Sequence, residues 1–174
     1  MKTKIFSFDA ETDGLRGMQI AIGAIVENVQ TGKRDTFCAR VKSAPKNQWV
    51  LENVWPKLEN SKMAVFDNNA DLLQAFSEFY MSNKDGAHVI YHMGVPVEAK
   101  LMQDMYELGF IGEFDGPYPA IDLSGMLLMA GEDPTSVDSY ITKHNLPVPS
   151  VGETHHPLYD AETALVVFKH LMKF

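Results

Sequence analysis

The chain has one cysteine, Cys38, among 174 residues. A lone thiol cannot form an intramolecular disulfide, so the expected setting is a reducing cytoplasm. Cys38 lies in a strand-like run and reads as a small buried side chain rather than a nucleophile. Long apolar runs are missing as well. No segment is long enough to cross a bilayer, so no membrane partner is expected. Met1-Lys2-Thr3-Lys4 leads into a short apolar run that ends in charge, unlike a signal peptide. Positive charge is scarce: 15 Lys and Arg stand against 23 Asp and Glu, a net charge of -8. That argues against tight binding to long duplex DNA, which needs many Lys or Arg contacts to phosphate. A nucleotide substrate stays open, because acids holding divalent ions reverse the local sign where a phosphate sits. There is no repeat, low-complexity tract or linker, and the length suits one domain, 1–174, with a proper core.

Three strand-like runs come first, Ile5 to Ala10, Gln19 to Val26 and Thr36 to Val41. Asp13-Gly14 and Thr31-Gly32-Lys33 are the turns between them. Short connections predict an antiparallel meander. Lys42 to Asn69 is irregular, with a short helix over Asn53 to Leu58. Ala70 to Met81 repeats Leu72, Leu73, Phe76, Phe79 and Tyr80 at helical spacing. A buried strand, Ala87 to Tyr91, precedes a helix over Val97 to Leu108, which Gly109 ends. Tyr118 to Leu123 contains a strand with Asp122 at its end. Short helices follow near Ser124 to Ala130 and Ser136 to His144. The last helix starts near Tyr159 and buries Ala161, Ala164, Leu165, Phe168, Leu171 and Met172. A meander followed by alternating strands and helices predicts a mixed sheet with helices on its faces.

Chemistry begins with Asp9 and Glu11, at the end of the first run. Residues two apart on a strand share a face, which puts these alpha-carbons roughly 6.6 Å apart. Two like charges so placed raise the pKa of one partner, and a cation between them removes the conflict. A solvated strand end would carry the same pair, so two further segments matter. One is His155-His156-Pro157-Leu158-Tyr159-Asp160. Asp160 opens the last helix, where the helix dipole favours a carboxylate with or without a metal. A histidine just ahead of it is a candidate general base. His155 and His156 compete for that role. The other segment runs from Tyr91-His92 to Val97-Glu98, where Glu98 opens a helix. Asp104, further along that helix, is its alternative.

Together these segments resemble the histidine-containing branch of the DEDD 3'-5' exonucleases, which includes ribonuclease T, oligoribonuclease and polymerase proofreading subunits. Phe8-Asp9-Ala10-Glu11-Thr12-Asp13-Gly14-Leu15 is similar to the family's D-x-E motif. His155 through Asp160 is similar to its H-x(4)-D motif, which selects His155 over His156. Ile121-Asp122-Leu123 matches a family strand. The middle motif departs: the family has His-Asn, a few residues, then Phe-Asp, and here His92-Met93 leads to Val97-Glu98 with one extra residue between.

The resemblance implies an α/β, RNase H-like fold with a mixed five-stranded sheet. It implies two Mg2+ or Mn2+ ions on Asp9, Glu11, Glu98 and Asp160, and His155 as the base that activates water. The reaction would be hydrolysis at the 3' end of single-stranded RNA or DNA, or of a short oligonucleotide, releasing nucleoside 5'-monophosphates. Gly14 and Leu15 would lie against the last base, near Tyr91 and His92. Trp49, Trp55, Phe66 and Tyr91 could stack a base, but each residue of this type more often belongs to a core. By analogy, a homodimer is allowed. The altered middle motif keeps two alternatives open. One is a nucleic-acid- or partner-binding module on the same fold, and the other is a phosphohydrolase of small nucleotides.

Overall fold

The computed structural model describes residues 2–149 and 152–174. β1 (Lys4–Thr12) is the strand around which the rest is organised. β2 (Gln19–Asn28) pairs with it antiparallel, and β3 (Arg34–Val41) pairs antiparallel with β2. After α1 (Gln48–Asn53) and α2 (Trp55–Glu59), β4 (Ala64–Phe66) adds parallel to β3. α3 (Asn69–Asn83) then leads to β5 (Ala87–Tyr91), which lies parallel to β1 on its other side. α4 (Val97–Glu107), β6 (Ile121–Asp122), α5 (Leu123–Met129), α6 (Val137–His144) and α7 (Pro157–Met172) complete the chain. The sheet order is β4-β3-β2-β1-β5-β6.

This is the RNase H-like α/β arrangement, with one correction: the sheet has six strands, not five. The extra strand, β4, has three residues with an exposed, exposed and half-buried pattern. Its strand character comes from pairing with β3, from Ala39 opposite Ala64 to Val41 opposite Phe66, so no periodicity of its own marks it. The single helix expected over Asn53 to Leu58 is two helices. Asn47 caps the first by accepting from the Val50 amide, and Pro56 stands in the first turn of the second. The strand expected within Tyr118 to Leu123 is Ile121–Asp122, with Asp122 at its end as expected, and the Asp122 side chain also caps α5 by accepting from the Ser124 amide.

Alternation along β1 sends its side chains into two cores. Phe6, Phe8 and Ala10 pack with Leu72, Phe76 and Tyr80 of α3 and with Leu101 and Met105 of α4. Ile5 packs on the opposite face with Ile90, Leu127, Ile141, Ala161, Leu165 and Phe168. Ser7, Asp9 and Glu11 share that second face by strand period, and α7 covers it. The buried Ser7 hydroxyl donates to the Ala161 carbonyl at 2.7 Å. At the far end of α7, Lys169 pairs with the buried Glu27, which also takes Arg34 at 2.6 Å. These links fix α7 against β1, β2 and β3. Among the described residues no helix is long and apolar enough to cross a membrane.

Candidate metal centre and its histidine

Asp9 and Glu11 reach the site from β1, two residues apart on the α7 face. Asp160 reaches it from the first turn of α7. One carboxylate oxygen from each lies within 4.8 Å of the others, the one ion-sized group of acidic, histidine or cysteine side chains among the described residues. An all-oxygen donor set of this kind suits a hard divalent cation. The three line a cleft of about 230 Å³ with Glu98, His92, Met93, Thr154 and His155.

Glu98 arrives from the opposite layer. It stands at the start of α4, is 3% exposed, and its Oε1 accepts from the Ala10 amide at 3.1 Å. It faces the same cleft but lies outside the close trio. Asp104 is elsewhere: its carboxylate accepts from Gln19 Nε2 at 3.0 Å and from Lys100.

The electrostatics are those of acids crowded out of water. Burial raises Asp9 well above the usual carboxylate range, and Asp160, Glu98 and Glu11 push it further. Burial and then Glu11 carry Asp160 to about 7, although the His155 amide, donating to its Oδ2 at 2.9 Å, works the other way. Glu98 is pushed up to about 8, mainly by burial. A bound cation would remove this strain.

His155 stands over the trio, with Nδ1 3.7 Å from Glu11 Oε1. The Glu11 carboxylate raises it above the ordinary histidine value, against the effect of burial. His156 points the other way: it is 3% exposed, and its Nε2 lies 2.8 Å from Ser61 Oγ. The two adjacent histidines are therefore separated by environment, and the one selected by motif spacing is the one at the cleft.

The expected substrate-contacting residues divide. His92 lines the cleft and its Nε2 donates to the Pro134 carbonyl at 2.9 Å. Tyr91 sits behind it, half-buried and edge-on to Phe8 at 5.8 Å. Gly14 and Leu15 form the turn beyond β1, where Gly14 adopts φ +81° against Asn47 and Leu15 is 68% exposed. Of the aromatic candidates, Trp55 is buried beneath Arg40, and Phe66 is half-buried at the edge of the core. Trp49 is 56% exposed, its ring edge-on to His155 at 5.7 Å. Asp13 sets its position by accepting from the amides of Lys46 and Asn47, at 2.9 and 2.7 Å, just ahead of α1. Thr154 and Ser61 belong to the site's surroundings and carry no motif that would have marked them.

The raised carboxylates make stability depend on pH in the metal-free protein. Each stays protonated in the folded chain at pH values where the unfolded chain is ionised. The folded state therefore binds more protons between about pH 4, the unfolded value, and pH 7 to 8, the folded values of Asp160 and Glu98. Stability falls as pH rises through that window and levels off above it. His155, also raised, acts in the same direction; His88 and His156, lowered by burial, oppose it below about pH 6.5. A tenfold change in a group's proton affinity is worth about 1.4 kcal/mol, and a protein of this size loses roughly 2–4 °C of melting temperature per kcal/mol. Melting in EDTA should therefore drop by several degrees from pH 5 to 8. Mn2+ at pH 8 should restore it. A melting temperature that is flat or rising across that range in EDTA would contradict the electrostatic picture.

No family model matches the chain, and no curated protein matches it. Among solved structures it matches a full-length 3'-exonuclease, with a TM-score of 0.64 and 14% identity, over 98% of this chain and 60% of that one. The chain thus spans about 60% of that protein's length. At this identity the likeness is one of fold: an α/β sheet with helices on both faces, shared with an exonuclease.

Proposed function

We propose that this chain is a metal-dependent 3'-5' exonuclease acting on single-stranded RNA or DNA and releasing nucleoside 5'-monophosphates. The observation that carries the reading is the convergence of Asp9, Glu11 and Asp160 within 4.8 Å, with His155 Nδ1 3.7 Å from Glu11. The fold shared with a 3'-exonuclease supports it. Asp9, Glu11, Asp160 and, from the other layer, Glu98 would hold two Mg2+ or Mn2+ ions. Such ions stabilise charge on the attacking and leaving oxygens of a phosphodiester. Glu11 Oε1 stands 3.7 Å from the Nδ1 side of the imidazole, and Nε2 would take the proton from the attacking water. Trp49, exposed beside His155, offers a face for a terminal base, and Gly14 lies against Asn47 at the start of α1.

Labelled single-stranded RNA, single-stranded DNA and mononucleotides, each with Mn2+ or EDTA, test the proposal. The expected product is a ladder shortening from the 3' end, only with Mn2+. Binding without turnover would favour a binding module, a reading supported by Met93 in the middle motif and by Glu98 standing outside the trio. Turnover of mononucleotides alone would point to a phosphohydrolase.

His155→Ala should slow hydrolysis roughly 10^2- to 10^4-fold, the range for loss of a positioned base, with KM little changed. His156→Ala should lower the melting temperature, since it empties a buried position, and any loss of rate should come with that loss of stability. If His156→Ala proves the crippling change at unaltered stability, the base is His156 and not His155.

A further inference from the structure

The loop that presents His155 holds that residue at φ 69°. Side chains rarely adopt this left-handed conformation, and it persists only where the surroundings over-determine it. The surroundings here are specific. Lys57 Nζ donates to the Thr154 carbonyl at 2.6 Å, and Thr154 Oγ1 donates to Asp138 at 3.1 Å. The His156 amide closes a tight turn onto the Glu153 carbonyl at 2.9 Å.

The His156 ring is the anchor. It occupies the space over Gly152, where a Cβ would come within 2.7 Å of its Cγ. Its one side-chain partner among the described residues is Ser61, just beyond α2, since its buried Nδ1 has none. A buried imidazole with a single hydrogen bond is oriented chiefly by that bond, and leaving Nε2 unpaired would carry the full desolvation penalty. The left-handed turn at His155 then sends the two neighbouring rings apart, His156 inward and His155 over Glu11.

We infer that Ser61 is a positioning residue for the reaction: through the buried His156 ring it fixes the loop that aims His155 at the acidic cleft. The inference rests on His155 being the base. Without the Ser61 hydroxyl, Nε2 of His156 must find water, the loop shifts, and His155 loses its alignment while Asp9, Glu11 and the β1 side of the cleft stay in place.

The test crosses Ser61→Ala and Ser61→Thr with His155→Ala, in Mn2+ with a labelled single-stranded oligonucleotide. Ser61→Ala should lower kcat roughly 10- to 100-fold, the scale of a misplacement near 1 Å, with KM unchanged, and Ser61→Thr should keep the rate. In the His155→Ala background Ser61→Ala should change the residual rate less than about twofold, because residues acting as one unit are not additive. An equal loss in both backgrounds means that Ser61 is merely structural and overturns the inference. A second measurement needs no turnover. The nuclear Overhauser contact between the His155 imidazole and the Trp49 indole, whose centroids are 5.7 Å apart, should be present in wild type and in Ser61→Thr. It should vanish in Ser61→Ala, and its persistence there overturns the inference. A wild-type protein without hydrolysis removes the exonuclease reading, and the spectroscopic arm still decides how the loop is held.

Discussion

Asp160→Asn protein is expected to fold, to melt higher than wild type in EDTA at pH 8, and to release no mononucleotide in Mn2+. The three results share one cause. Burial and Glu11 hold the Asp160 carboxylate up to about 7, so at pH 8 the metal-free protein carries a charge in a place that resists it. Asparagine removes the charge and keeps an oxygen to accept from the His155 amide, now 2.9 Å from Oδ2. The loop therefore stays seated, and only the electrostatic conflict is lost. The same change takes one of three oxygens from the cluster. Loss of mere outer partners around a metal costs roughly 10- to 100-fold, so loss of Asp160 in its proposed role as a direct ligand should take hydrolysis to background. The stabilisation by Mn2+ at pH 8 should go with it. Asp9→Asn should behave alike, since burial and then the neighbouring acids, Asp160 first, raise Asp9 too. Mn2+-dependent activity within tenfold of wild type in either variant would remove the trio from the chemistry.

Much of this site is legible in the sequence because it follows backbone periodicity. Asp9 and Glu11 share a face by the two-residue repeat of a strand, and β1 runs to Thr12, so both lie inside regular structure. Asp160 and His155 are legible because a helix start fixes what precedes it. Pro157 opens α7, two residues earlier than the apolar stripe suggests, and the loop ahead of it is short. Glu98 does face the expected cleft, but the strand–helix connection before α4 brings it in from the other layer, and one-dimensional spacing does not encode a layer.

What escapes such reading depends on contacts between distant segments. β4 exists by pairing with β3. Trp49 reads as core by residue type, and it is exposed because α1 turns Val50, its neighbour, into the core instead. Ser61 touches His156 across 95 positions, and neither residue type nor pattern announces that bond.

Gly23→Val should cost about as much rate as the loss of His155, although residue 23 does not line the cleft. Gly23 lies on β2 opposite Asp9. A Cβ built there would fall within 3.0 Å of the Pro157 carbonyl and the Leu158 amide, closer than real Cβ atoms approach backbone. Its φ is not left-handed, so what glycine supplies is space. Cys38, its neighbour on β3, continues the seat: burial lifts its thiol to about 11, and the Leu158 backbone only partly offsets this. The first turn of α7 thus rests directly on two strands, and a side chain at 23 must lift it. The remainder of α7 cannot follow freely, since Ser7 holds Ala161 and Glu27 holds Lys169. Displacement therefore concentrates between His155 and Asp160, which moves the proposed base and the proposed metal ligand together. Overpacking of this kind costs about 1–3 kcal/mol, or several degrees of melting temperature at roughly 2–4 °C per kcal/mol. A misplacement near 1 Å costs on the order of 10^2 in rate for one group, and here two groups shift at once. Stabilisation by Mn2+ should weaken in parallel, with Gly23→Ala intermediate on every measure. If Gly23→Val instead keeps both the Mn2+ response and hydrolysis within tenfold of wild type, the start of α7 is held by its flanking bonds, and its rest on β2 has no part in forming the site.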